Sequence, residues 1–157
     1  MGIFNIFRCS PPPTIDDDAV QFASEFVVCP AAPTFGAELL DPSLLDFSLD
    51  SLTILDRHVE ALRDRDPEAE GQNVGNFFMR CGCYLGEVIR RHSAKEYHWY
   101  DASVAAQFES TLSRDSYGTS GVLWAAPTVY CYPIQAVMDQ FTASQAEGLR
   151  VFAERQI

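Results

Sequence analysis

Helical spacing of apolar positions dominates the first 92 residues, and alternation takes over after them. Val20, Phe22, Ala23, Phe26 and Val27 recur at three- and four-residue intervals and predict a helix over about 15–28, closed by Pro30 and Pro33. Thr14-Ile15-Asp16-Asp17 has the form of a capping box, with Asp in place of the usual Glu, and Asp16, Asp17 and Asp18 suit the positive end of a helix dipole. Phe35 to Leu40 reads as a short strand or loop broken at Asp41-Pro42. Ser48 or Asp50 caps a second helix running to about Arg65, with Leu52, Leu55, Val59 and Leu62 forming one buried stripe. Asp66-Pro67-Glu68-Ala69-Glu70-Gly71 reads as an exposed acidic connector.

The strongest periodicity follows. Asn73 is expected to cap a helix over about 74–92, in which Val74, Phe77, Phe78, Cys81, Leu85, Val88, Ile89 and His92 keep the i, i+3, i+4, i+7 rule. Gly75, Gly82 and Gly86 lie inside it, and each costs about 1 kcal/mol relative to Ala. Gly82 and Gly86 stand one turn apart, which predicts close approach of a strand or helix backbone. The sharper alternative is a ligand pressed into a groove formed with Tyr84, Glu87 and Trp99.

Beyond residue 95 the period shortens. Residues 96–100 predict a strand with Tyr97 and Trp99 on one face, and 103–112 fit either helix or strand. Ser116 to Gly121 reads as a turn; Val122-Leu-Trp124 and Thr128 to Tyr132 read as strands interrupted at Pro127. Pro133 opens a helix carrying Ile134, Val137, Met138 and Phe141, and a last helix is expected over about 144–155 with Ala146, Leu149, Phe152 and Ala153. The predicted class is α+β: four to five helices around an antiparallel sheet of about three strands, the sheet packed on the long central helix. Pro11-Pro12-Pro13 excludes helix, so residues 1–14 read as an N-terminal Pro-rich arm and 15–157 as a single domain.

Composition narrows the function classes. In 157 residues, 47% are apolar, enough for one sizeable core. No apolar run approaches the roughly 18 residues of a membrane span, and Met1 to Cys9 lacks a basic leader, so a cytoplasmic protein without membrane contact is expected. Cys9, Cys29, Cys81, Cys83 and Cys131 are odd in number and follow no framework spacing, so reduced, buried thiols are expected. Charge changes the picture most. Residues 1–70 hold 14 acidic side chains against four Arg, whereas residues 71–157 hold eight acids against seven basic residues; the two parts, near −10 and −1, make up the net −11. That skew favours a basic protein as partner and argues against nucleic acid.

Candidate chemistry is sparse. His58, His92 and His98 with Cys81, Cys83 or Glu87 offer metal-ligand types without the tight local pairs of zinc sites, so neither metal nor other cofactor is expected. Glu87 with Arg90 and Arg91 has the spacing of a helical ion pair, preferred over a carboxylate or phosphate clamp. Cys83 or Cys131 acting as a nucleophile with His98 would need a lowered thiol pKa, which apolar surroundings oppose. Ser116-Tyr-Gly-Thr-Ser-Gly121 matches no phosphate-binding pattern and reads as a hairpin loop. The acidic set, Asp16, Asp17, Asp18, Asp64, Asp66, Glu68 and Glu70, is the candidate partner-binding surface; the plain alternative is a solubilising face.

Leu45-Asp-Phe-Ser-Leu-Asp-Ser-Leu-Thr-Ile-Leu-Asp56, Gly82-Cys-Tyr-Leu-Gly-Glu-Val-Ile-Arg-Arg91, the aromatic strand around Trp99 and Tyr132-Pro133-Ile134 together resemble a set of small bacterial proteins carrying a domain of unknown function. The resemblance spans about residues 40–141 and implies an α+β fold without an agreed activity or agreed catalytic residues. The expectation for function is a non-enzymatic binder, in concrete form an immunity protein that neutralises a cognate bacterial toxin through its acidic surface. The alternatives are a small-ligand or enzymatic domain using the Gly82/Gly86 groove, and an assembly domain in which Ile3, Phe4, Ile6 and Phe7 of the arm dock on a neighbour or a second copy.

Overall fold

The computed structural model describes residues 12–28, 34–109, 112, 121–125 and 127–157. The arm up to residue 11, with Cys9, lies outside them, as do Cys29 and most of the predicted turn at 116–121. The elements run α1 (Asp16–Val28), α2 (Leu49–Arg65), α3 (Gln72–His92), β1 (His98–Asp101), α4 (Ala102–Ala105), β2 (Gly121–Ala125), β3 (Val129–Cys131), α5 (Pro133–Thr142) and α6 (Leu149–Gln156). The class is α+β with a small antiparallel sheet. The helix beyond the four to five expected is the single turn of α4, held at its start by Asp101, whose carboxylate accepts from the backbone N–H groups of Ser103 and Val104.

The central helix α3 buries an unbroken run from Arg80 to Ile89, so it is covered on every side through its middle. The α2 stripe Leu52, Leu55, Val59 and Leu62 is wholly buried in the same core as Phe77, Cys81, Leu85, Val88 and Ile89. Each such side chain contributes about 1.5–3 kcal/mol on burial. Antiparallel to α3 lies α1: Asp16 meets Arg90 near the α3 C-terminus, while Glu25 meets Arg80 two to three turns earlier.

Local chemistry fixes most boundaries. Ser48 caps α2, its hydroxyl accepting from Ser51 N–H. Asn73 does not cap α3. The helix begins at Gln72 after Gly71, whose φ of 101° is a conformation open to glycine, and no side chain caps the end. Phe35 to Leu40 forms no strand; it contains a 3₁₀ turn, Ala37–Leu39, entered through Gly36 at φ 71°. The last helix starts at Leu149 rather than 144, where Asp56 of α2 accepts from the Leu149 N–H.

The sheet has the order β1-β2-β3, all antiparallel, with Trp99 opposite Leu123 and Leu123 opposite Cys131. Those three residues share one face of the sheet and are buried, with Trp99 packed against Gly86 of α3. His98, Tyr100, Trp124 and Tyr130 take the other face by alternation. The outer side of β1 is met by the chain entering α1, where Ile15 N–H donates to the Trp99 carbonyl at 2.8 Å.

Candidate functional site

The acidic residues chosen from sequence separate into two groups. Asp64, Asp66, Glu68 and Glu70 sit at the end of α2 and in the connector to α3, all exposed, with Asp64 at 79%. The connector is shaped by its backbone: Asp66 N–H continues the α2 ladder to the Leu62 carbonyl, and Ala69 N–H closes a turn on the Asp66 carbonyl. Neighbouring arginines are turned to other work. Arg65 binds Glu38 at 2.6 Å, and Arg63 donates to the Gln140 carbonyl, its nearest approach to Asp64 being 3.9 Å. Among the described residues, no hydrogen bond or ion pair engages the carboxylates of Asp66, Glu68 or Glu70.

The second group begins α1, at the other end of α3. Eighteen residues of helix separate Gln72 from Arg90, about 27 Å. Asp17 and Asp18 are exposed there, but Asp16 is not a surface charge awaiting a partner. Its Oδ1 accepts from Trp99 N–H at 2.7 Å and stands 3.5 Å from Arg90; its Oδ2 lies 2.7 Å from His98 Nδ1. Asp16 therefore leaves the candidate set, as the lock between α1, α3 and β1.

The groove at Gly82 and Gly86 exists and is filled. A β-carbon at Gly82 would stand 2.5 Å from Ile134 Cα, and one at Gly86 would overlap the Trp99 indole. The expected backbone approach is thus α5 over Gly82, whereas at Gly86 a side chain takes the space. Trp99 is wholly buried, its indole N–H donating to Glu87 Oε1 at 3.1 Å, and Glu87 also binds Arg90 at 2.8 Å. Tyr84 does not join this groove: its hydroxyl accepts from Phe47 N–H and pairs with the Ser51 hydroxyl at 2.6 Å. What remains open beside Trp99 is a cleft of about 130 Å³ reaching Ala19, Phe22, Met79 and Ile134.

The expected Glu87–Arg90 ion pair is present, whereas the Arg91 guanidinium lies 3.7 Å over the Phe47 ring. The three histidines are dispersed: His58 is buried in α2, His92 bonds the Val88 carbonyl and His98 opens onto the outer sheet face. Among the described residues, no three His, Cys, Asp or Glu side chains are arranged to hold a metal ion. Cys81, Cys83 and Cys131 are buried free thiols, and burial pushes all three up, Cys83 and Cys131 to about 12. Such thiols stay protonated and poorly nucleophilic near neutrality.

Sequence reasoning missed Asp56. On α2 it accepts from Leu149 N–H at 2.6 Å and from Gln140 Nε2 at 2.9 Å, with Arg150 N–H at 3.4 Å. It caps α6 from across the molecule, which is why that helix begins at Leu149. Comparison with protein-family models, with curated proteins and with solved structures finds no match.

Proposed function

We propose that the protein is a non-enzymatic binder of a basic protein, in concrete form an immunity protein that neutralises a bacterial toxin, and that the α2–α3 connector is its principal contact surface. One observation carries the reading. Asp16, Glu25, Glu38, Asp50 and Asp56 are tied to internal partners, whereas Asp66, Glu68 and Glu70 are exposed together with none among the described residues. Carboxylates left outside the fold's own network in one short connector set up a local negative field, which steers a basic partner and raises its association rate. Asp17 and Asp18 give a second, smaller negative site about 27 Å along α3. The ligand-groove alternative loses its support because Ile134 and Trp99 occupy the space at Gly82 and Gly86.

The test begins with capture of the partner from its native cell at low salt, followed by association kinetics. Reversing Asp64, Asp66, Glu68 and Glu70 to Lys shifts the net charge from −11 by eight units to −3. Association at low salt is expected to slow by roughly tenfold or more, with dissociation and thermal stability little changed. An association rate untouched by this reversal would refute the reading.

A further inference from the structure

We propose that a cleft on the outer face of the sheet is a socket for an arginine side chain of the basic protein partner. The inference rests on the partner-binding reading above, but its test does not use the partner. The cleft is about 400 Å³ and is lined by Lys95, Glu96, His98, Tyr100, Trp124 and Val129. His98 and Trp124 are cross-strand neighbours, and the Tyr100 and Trp124 rings meet edge to face at 5.3 Å. A guanidinium stacks on such aromatic surface through both its charge and its flat shape.

The polar side of the cleft selects the same ligand. A carboxylate only accepts, so the proton shared between Asp16 Oδ2 and His98 Nδ1 sits on the ring nitrogen. The other ring nitrogen, Nε2, stands 3.6 Å from Glu96 Oε1. Glu96 Oε1 is an acceptor at the edge of the cleft, and the fork of a guanidinium supplies it with N–H groups. The other charged groups nearby are turned to other partners. Asp16 has Arg90 beside it, and the Lys95 ammonium is held by the carbonyls of Gln156 and Ile157 at 2.8 and 3.0 Å. Glu96, 92% exposed, is the negative charge left facing the cleft. Tyr and Trp on one partner and Arg on the other are the residue types that most often carry binding energy at protein interfaces.

The experiment is an NMR titration of the ¹⁵N-labelled full chain, read at its two indole N–H signals. Trp99, bonded to buried Glu87, reports the fold; Trp124 reports the cleft. The probe is arginine blocked at both ends, at constant ionic strength, with blocked citrulline as its uncharged isostere. The expected result is a saturable shift of Trp124 alone with blocked arginine and little response to citrulline. Glu96→Gln is expected to weaken the effect about threefold while leaving Trp99 in place. A silent Trp124, or equal responses to arginine and citrulline, overturns the proposal. So does a stronger response to free arginine, which would make the cleft a small-molecule site, or to methyl glucoside, which would make it a sugar site. Concentration-dependent shifts without any probe would place a second copy there and also overturn it. A silent titration leaves the connector's effect on association standing, and an inert connector leaves the titration interpretable, so the two ideas fail separately.

Discussion

His58 is the residue through which acid should loosen this fold first. It sits on α2 with 5% of its surface exposed, its ring edge-on to Phe77 at 5.7 Å, and among the described residues its Nε2 has no hydrogen-bond partner. Burial disfavours the charged ring and lowers its pKa from 6.5 to about 4, against a smaller opposing pull from Glu38. A histidine with a lowered folded-state pKa binds fewer protons folded than unfolded. Its contribution is therefore intact above the unfolded value and is lost as pH falls from there toward the folded one. The full shift of about 2.5 units corresponds to about 3 kcal/mol, of which about 2 kcal/mol is lost between about pH 7.5 and pH 5. The lowered carboxylates, Glu25, Glu38, Asp41, Asp46 and Asp101, also destabilise on acidification, but their loss falls below their ordinary values near pH 4. The interval above about pH 5 thus isolates the histidine. Urea unfolding of the wild type and of His58→Leu, followed by circular dichroism, reads the difference. The wild type should lose about 2 kcal/mol more than the variant over that interval. Parallel curves would show that the ring takes up its proton without cost, and the burial argument would be wrong.

Two other perturbations test the packing that positions the surfaces. Gly82→Ala forces a β-carbon against the Ile134 backbone, so α5 must move away from α3; a loss of about 1–3 kcal/mol is expected in thermal unfolding, whereas a neutral or stabilising change would deny the close approach. Asp56→Ala removes the acceptor for Leu149 N–H and Gln140 Nε2, and should cost about 1–2 kcal/mol, with faster hydrogen exchange confined to the α6 amides. Exchange unchanged in α6 would mean that Asp56 does not cap it.

The parts of the fold legible in sequence are those decided within one or two helical turns. The α3 periodicity, Ser48 as one of the two expected caps of α2, and Pro133 at the start of α5 all act over short range, and each is where it was expected. What escaped depends on partners far along the chain. Asp16 is bonded to residues 82 and 83 positions away, and Asp56 to one 93 positions away. A carboxylate that caps its own helix and one that locks a distant strand have the same letter and the same local context, so an acidic run cannot be sorted by reading it. Likewise, Asn73 has the side chain of a cap, but Gly71 could take a backbone angle that Asn reaches only under strain, and the helix began where the turn was easiest.

That sorting changes the meaning of the charge skew. Much of the acidity of the first 70 residues is structural: Glu25 holds Arg80, Glu38 holds Arg65, Asp50 holds Arg150, and Asp16 and Asp56 join helices that meet only in the folded chain. These carboxylates are spent on arginines and backbone N–H groups, and their field at the surface is correspondingly reduced. Subtracting them leaves the connector as the place where negative charge is both dense and uncompensated among the described residues. It also leaves Glu96 beside the aromatic face, on the strand side of the molecule. If binding energy follows the aromatic cleft and encounter rate follows the connector, the two surfaces should separate kinetically: connector reversal acts on association, and Glu96→Gln acts on dissociation. A variant set in which both changes act on the same rate would show that one contact, not two, carries the partner.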